Sequence, residues 1–129
     1  MSNKKDSLQH KEIKKKVAKF IENKGFDVCI DDDEHCLVSK VKNPGDIGDG
    51  EDKYPDVEGS YNGRIFKRGE AKLEEDLATK HSITQYKLFA RQSDLVIGVP
   101  KGCREKIERI LEENLTPDER KSVKTILEF

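Results

Sequence analysis

Asn62-Gly63 separates two stretches of alternating polarity, and no other short signal in the chain restricts the fold as much. Both residues tolerate positive φ, which the tight turns between antiparallel strands require. Residues 54–72, YPDVEGSYNGRIFKRGEAK, therefore read as a β-hairpin. Side chains alternate faces along a strand, so Glu70 and Lys72 point one way and Ala71 points into the packing. The face taken by Asp56 depends on the loop. With a two-residue loop, Tyr61 pairs with Arg64 and Asp56 falls opposite Gly69, facing away from Glu70. With a three-residue loop over 61–63, in which Gly63 is left-handed, Ser60 pairs with Arg64. Asp56 then falls opposite Arg68, and Glu70 is its diagonal neighbour on the same face. Asn-Gly suits either loop, and chemistry that uses both carboxylates needs the second register or an equivalent bulge.

Two carboxylates and an ammonium on one face suit metal-dependent hydrolysis. Asp56 and Glu70 would supply hard oxygen ligands for Mg²⁺, or Mn²⁺, a cation that keeps several waters and is held by one or two carboxylates plus substrate phosphate. It would polarise the phosphate and acidify an attacking water. Lys72 would orient that water or offset transition-state charge. The plain alternative is a charge-rich exposed hairpin in a chain that is 40% Asp, Glu, Lys and Arg.

A chain of 129 residues has room for one hydrophobic core, so we expect a single domain over 1–129, with a core at 7–100 and C-terminal helices over 103–128. No apolar run reaches membrane-spanning length and the N-terminal MSNKKDSLQHK has no signal-peptide centre, which predicts a cytoplasmic protein. Cys29, Cys36 and Cys103 are odd in number and lack metal-ligand pairing, which argues for free thiols over a disulfide framework or a closed zinc site; a site of Cys29, His35 and Cys36 is the less favoured option. Residues 1–24 hold eight lysines against three acids, and 27–58 hold eleven acids against three lysines. That asymmetry excludes a uniformly basic, nonspecific nucleic-acid binder.

Along the chain, Asp6 or Ser7 caps a first helix that Gly25 ends, with Ile13, Val17, Phe20 and Ile21 as its buried stripe. Glu12, toward the edge of that stripe, is the candidate helix-borne acid. Phe26, Val28 and Ile30 mark a strand, and residues 36–41 a short second one. The acidic run 31–34 lacks calcium-loop spacing and reads as a solvated loop. Residues 43–53 read as a mobile loop at the mouth of the site, without the ending of a phosphate-cradling loop. A helix over 77–91 carries His81 and Gln85 on one side, and Gln85 is placed to bind phosphate or water. Residues 95–99, LVIGV, fit a buried strand, and two helices follow, the last opened by Thr116-Pro117-Asp118-Glu119 and burying Val123, Ile126 and Leu127. The order predicts an α/β domain with a mixed central β-sheet flanked by helices.

That order, with Pro55-Asp56, Glu70-Ala71-Lys72 and residues 81–89, HSITQYKLF, resembles the PD-(D/E)xK nuclease superfamily over residues 7–100. It is similar to small archaeal Holliday-junction resolvases and restriction-type endonuclease domains. The resemblance implies a restriction-endonuclease-like core and a Mg²⁺-dependent endonuclease acting on DNA. It implies Asp56 and Glu70 as metal ligands, Lys72 as the catalytic lysine, Glu12 as a helix acid, and Gln85 as the glutamine of a Gln-x-x-x-Tyr motif. Phe89 stands where that motif has tyrosine, so a hydroxyl role would pass to Tyr86. It also implies a homodimer, for which the helices after Pro100 are the candidate interface. The alternatives are a catalytically inactive nuclease fold that binds nucleic acid or protein, and a small α/β domain that binds a protein through its acidic loop.

Overall fold

In a computed structural model, which describes residues 7–31 and 36–129, the chain forms a five-stranded mixed sheet with helices on both faces. Helix α1 (Leu8–Asn23) begins where the Ser7 hydroxyl accepts a hydrogen bond from the His10 amide, 3.1 Å, and the chain leaves it through Gly25 at φ +100°. The other N-cap candidate, Asp6, lies outside the described residues. Strands β1 (Asp27–Ile30), β2 (Val57–Tyr61) and β3 (Arg64–Ala71) form an antiparallel meander. Helix α2 (Lys80–Gln92) then leads to β4 (Asp94–Val99), parallel to β3. Helices α3 (Arg104–Asn114) and α4 (Pro117–Ser122) lead to β5 (Val123–Glu128), parallel to β4, and the spatial order is β1-β2-β3-β4-β5.

Alternation along β4 divides the core in two. Val96 faces α1 with Val57 and Ala71, whereas Leu95, Ile97 and Val99 face α2 and α3. Ile107, Ile110 and Leu111 of α3 form its buried stripe and lie in the protein's own core. Helix α1 lies close to the sheet because three strand positions, Gly59, Gly69 and Gly98, have no side chain. A Cβ at Gly98 would sit 2.5 Å from Val17 Cγ2 and 2.9 Å from Ile13 Cγ2, and one at Gly69 would sit 2.6 Å from Val17 Cγ1. Gly98→Val is accordingly expected to lower stability by about 1–3 kcal/mol, the usual cost of overpacking a filled core, read by urea unfolding. Wild-type stability in that variant would mean that α1 rides further from the sheet.

Several expectations need correction. Residues 123–128 are a strand, not the end of a helix. VKTILE satisfies a helical stripe and a buried strand about equally, but its β-branched residues and the open edge of β4 favour pairing. The second helix starts at Lys80 instead of 77, because the Thr79 hydroxyl caps the Ser82 amide, 3.0 Å, after a 3₁₀ turn at Glu74–Asp76. Residues 36–41 pair with the sheet nowhere. Ser39 donates its amide to the Glu58 carboxylate and Val41 bridges Lys53, so the segment does not extend the sheet.

The stretch 43–53 is knit together by hydrogen bonds to one side chain. Asn43 Oδ1 accepts from the Gly45 and Ile47 amides (2.8 and 3.3 Å), its Nδ2 donates to the Ile47 carbonyl (2.8 Å), and Ile47 is buried. Cys29 and Cys36 are joined in a disulfide with Cα atoms 5.8 Å apart, leaving Cys103 as the buried odd thiol. Such pairs are rarer in the cytoplasm than in oxidising compartments. His35 and residues 32–34 of the acidic run lie outside the described residues. Among the described residues no helix is long and apolar enough to cross a membrane.

Candidate active site

The hairpin turns through two residues, Asn62 at φ +52° and Gly63 at φ +78°, with Tyr61 paired to Arg64. Continued unchanged, that register would place Asp56 opposite Gly69 and facing away from Glu70. The chain corrects it with a bulge. Ser60 pairs with Ile65 but Gly59 pairs with Lys67, so Phe66 is an extra residue on β3. From there the register holds to Val57 and Gly69, and one further step sets Asp56 beside Glu70. The bulge, not a three-residue loop, brings the carboxylates to one side.

They clasp each other through the backbone. Glu70 Oε2 accepts from the Asp56 amide, 2.7 Å, and Asp56 Oδ2 accepts from the Ala71 amide, 2.9 Å. The Asp56 carbonyl accepts from the Asp31 amide at the end of β1, 2.7 Å. Lys72 Nζ lies 3.4 Å from Glu70 Oε1 and donates to Gln85 Oε1. All four side chains line a cleft of about 760 Å³. Glu70 is 1% exposed, and burial first, then the Asp56 charge, push its carboxyl up to about 8 despite Lys72.

Glu12 does not join this group: it lies on the exposed face of α1 and does not line the cleft. The α1 side chains that reach Asp56 are basic. His10 Nε2 is 3.5 Å from Asp56 Oδ2 and 2.9 Å from the Ala71 carbonyl oxygen, and Lys14 Nζ is 4.0 Å from Asp56 Oδ1. Their positions were readable in the sequence, because 10, 13, 14, 17, 18 and 21 fall on one helical stripe and 12 does not. Tyr86 does not replace the missing tyrosine at 89. It is fully buried, its hydroxyl donates to the Leu77 carbonyl, 2.9 Å, and burial drives its pKa well above the usual phenol range.

The same cleft is lined by a buried lysine that neither pattern nor spacing announced, and by His81. Lys53, 3% exposed, donates to Asp49 Oδ2 at 2.6 Å, and its Nζ lies 2.7 Å from His81 Nδ1. Burial, then the charges of Lys53 and Lys72, hold the His81 imidazole below its ordinary pKa. Around these groups the rim is acidic, with Glu51, Asp52, Glu75 and Asp76 lining the cleft. Among the described residues no three His, Cys, Asp or Glu side chains are grouped to enclose a metal ion. No protein-family model, curated protein or solved structure matches the chain.

Proposed function

We infer that the protein is a metal-dependent endonuclease that hydrolyses DNA phosphodiester bonds in this cleft, on a restriction-endonuclease-like core. The observation that carries the reading is the convergence of Asp56, Glu70, Lys72 and Gln85 on one cleft, where a strand bulge sets Asp56 beside Glu70. The element order, a helix, an antiparallel meander, a helix and a parallel strand, agrees with the nuclease resemblance.

The donor set fits Mg²⁺ or Mn²⁺. Two adjacent carboxylates that repel each other, one of them buried, are hard oxygen ligands, and a cation that retains water needs no third carboxylate. Asp56 and Glu70 would hold it, and when bound it would supply Lewis-acid polarisation of the phosphate and a more acidic water. The chain's own groups do the rest. Lys72 is a donor only, and Glu70 and Gln85 fix its ammonium at the cleft wall, where it offsets charge developing on the phosphate oxygens. Gln85 spends its carbonyl oxygen on Lys72, which leaves its amide hydrogens for a phosphate oxygen. The acidic rim repels nucleic acid, so binding would depend on cations.

One observation favours the second reading, an inactive nuclease fold that binds nucleic acid or protein. His10 and Lys14 already bring basic groups to Asp56. Incubating supercoiled, single-stranded and branched DNA with the protein in Mg²⁺ or Mn²⁺ decides between them. Metal-dependent cutting that is lost in Asp56→Ala is the expected result. No cutting by folded protein, with no Mg²⁺-dependent change in the NMR signals of Asp56 and Glu70, would leave the inactive module.

A further inference from the structure

The geometry points to His81 as a fixed, uncharged hydrogen-bond donor to a backbone phosphate of the bound strand next to the one at Lys72, with the buried Lys53 setting the tautomer that makes it a donor. This rests on the nuclease reading and adds a contact to it.

A lysine ammonium can donate hydrogen bonds and cannot accept them. Lys53 Nζ stands 2.7 Å from His81 Nδ1, so Nδ1 must be the accepting nitrogen and the ring proton must sit on Nε2. The ammonium is itself anchored by Asp49 Oδ2 at 2.6 Å, with Glu51 Oε1 at 3.7 Å. A second proton on the ring would face this charge directly, and the lowered pKa of His81 agrees with a neutral ring. The loop that carries Lys53 is tied to α2 independently, since the Asp49 amide donates to Thr84 Oγ1 at 2.9 Å. The ring is thus held against a rigid support, and its Nε2 edge has no hydrogen-bond partner among the described residues.

The position of that edge identifies the ligand. His81 is exposed and lines the cleft one helical turn before Gln85, on the same side of α2. Gln85 is bound to Lys72 and so faces the reacting phosphate. A step of one helical turn is comparable with the step between successive phosphates on a strand, and a neutral N–H donor suits a phosphate oxygen. An acidic rim makes such a donor useful, because it contributes without being drawn into ion pairs with Glu51 or Asp76.

Two measurements on the full chain test this. Long-range ¹⁵N correlation spectra at neutral pH, without nucleic acid, should show His81 protonated on Nε2 alone, and Lys53→Met should mix the tautomers. Protonation on Nδ1 in the wild type would overturn the proposal whatever the protein cleaves. Binding of a labelled oligodeoxynucleotide is then followed by anisotropy in Mg²⁺, in a Lys72→Ala background that keeps the strand intact. His81→Leu should weaken binding about tenfold, the effect of one hydrogen bond to a charged group, and His81→Gln should recover most of it. A methylphosphonate at the contacted phosphate should erase the difference that His81→Leu makes. Equal affinities with and without His81→Leu, or equal losses in the leucine and glutamine variants, would overturn the His81 contact alone. No binding by any form would overturn the nuclease reading and this contact with it.

Discussion

Lys72→Ala is expected to lower metal-dependent DNA cleavage by about 10²–10³-fold, the usual cost of removing one preorganised group that meets developing charge. The reason is positional. Lys72 is 7% exposed, its ammonium is fixed between Glu70 and Gln85, and it needs no reorganisation when a phosphate arrives. Its loss also leaves Glu70 without its nearest cation, so the Glu70 carboxyl should move further upward and metal should bind less readily near neutrality. Lys72→Met separates charge from packing. It keeps the unbranched stem in the buried channel, so its thermal unfolding should stay close to wild type while its cleavage falls as far as the alanine variant's. Single-turnover rates at saturating Mg²⁺ and excess protein would measure the chemical step without the weaker metal binding. If the methionine variant cut within a few-fold of wild type, Lys72 would be a structural partner of Glu70, and the site would have to work through other groups.

The sequence carried the parts of this site that depend on local pattern and missed those that depend on long-range packing. Alternation placed Glu70 and Lys72 on one face and Ala71 on the other, as found. The Asn62-Gly63 signal located the turn, but the face of Asp56 turned on a single extra residue at Phe66. Nothing in GRIFKRG distinguishes a bulged strand from a regular one. The nuclease resemblance implies Glu12 as the helix acid, but the stripe through Ile13 and Val17 puts His10 and Lys14, not Glu12, against the sheet. In the sequence Lys53 is one charge among several in a polar loop. Its burial follows from the folding of 43–53 around the Asn43 side chain, which no periodicity reveals. The Cys29–Cys36 pair was hidden for the same reason, because parity counts cysteines and says nothing of where β1 ends. Residues 123–128 show the limit most plainly: their pattern fits both periods, and the free edge of β4 decided.

Without metal, the protein is expected to lose stability as pH rises from about 6.5 to 8, and Mg²⁺ is expected to reverse that loss. In the folded state Glu70 keeps its proton until about pH 8, whereas in the unfolded chain it releases it near the ordinary carboxyl value of 4.5. Between those values the folded state binds the extra proton, so the unfolding free energy falls as pH rises. Below about 6.5 the slope is masked. His81, whose pKa is lowered, favours the folded state as pH rises toward the ordinary imidazole value, and Asp49 and Glu119 do the same at carboxylate pH. Above it Glu70 acts nearly alone, at roughly 1.4 kcal/mol per pH unit while one proton is held, or about 2 kcal/mol across the window. A divalent cation on Asp56 and Glu70 must displace that proton, so Mg²⁺ should raise the melting temperature little at pH 6.5 and most at pH 8. Glu70→Gln tests the assignment directly. An amide keeps the shape and the bond to the Asp56 amide but cannot ionise, so the variant should be more stable than wild type at pH 8 without metal, lack the pH slope, and gain nothing from Mg²⁺. An unchanged slope in Glu70→Gln would place the titrating proton on another group. A Mg²⁺ effect that survived the substitution would show that the cation binds elsewhere, and Asp56 and Glu70 would then be a structural clasp between β2 and β3.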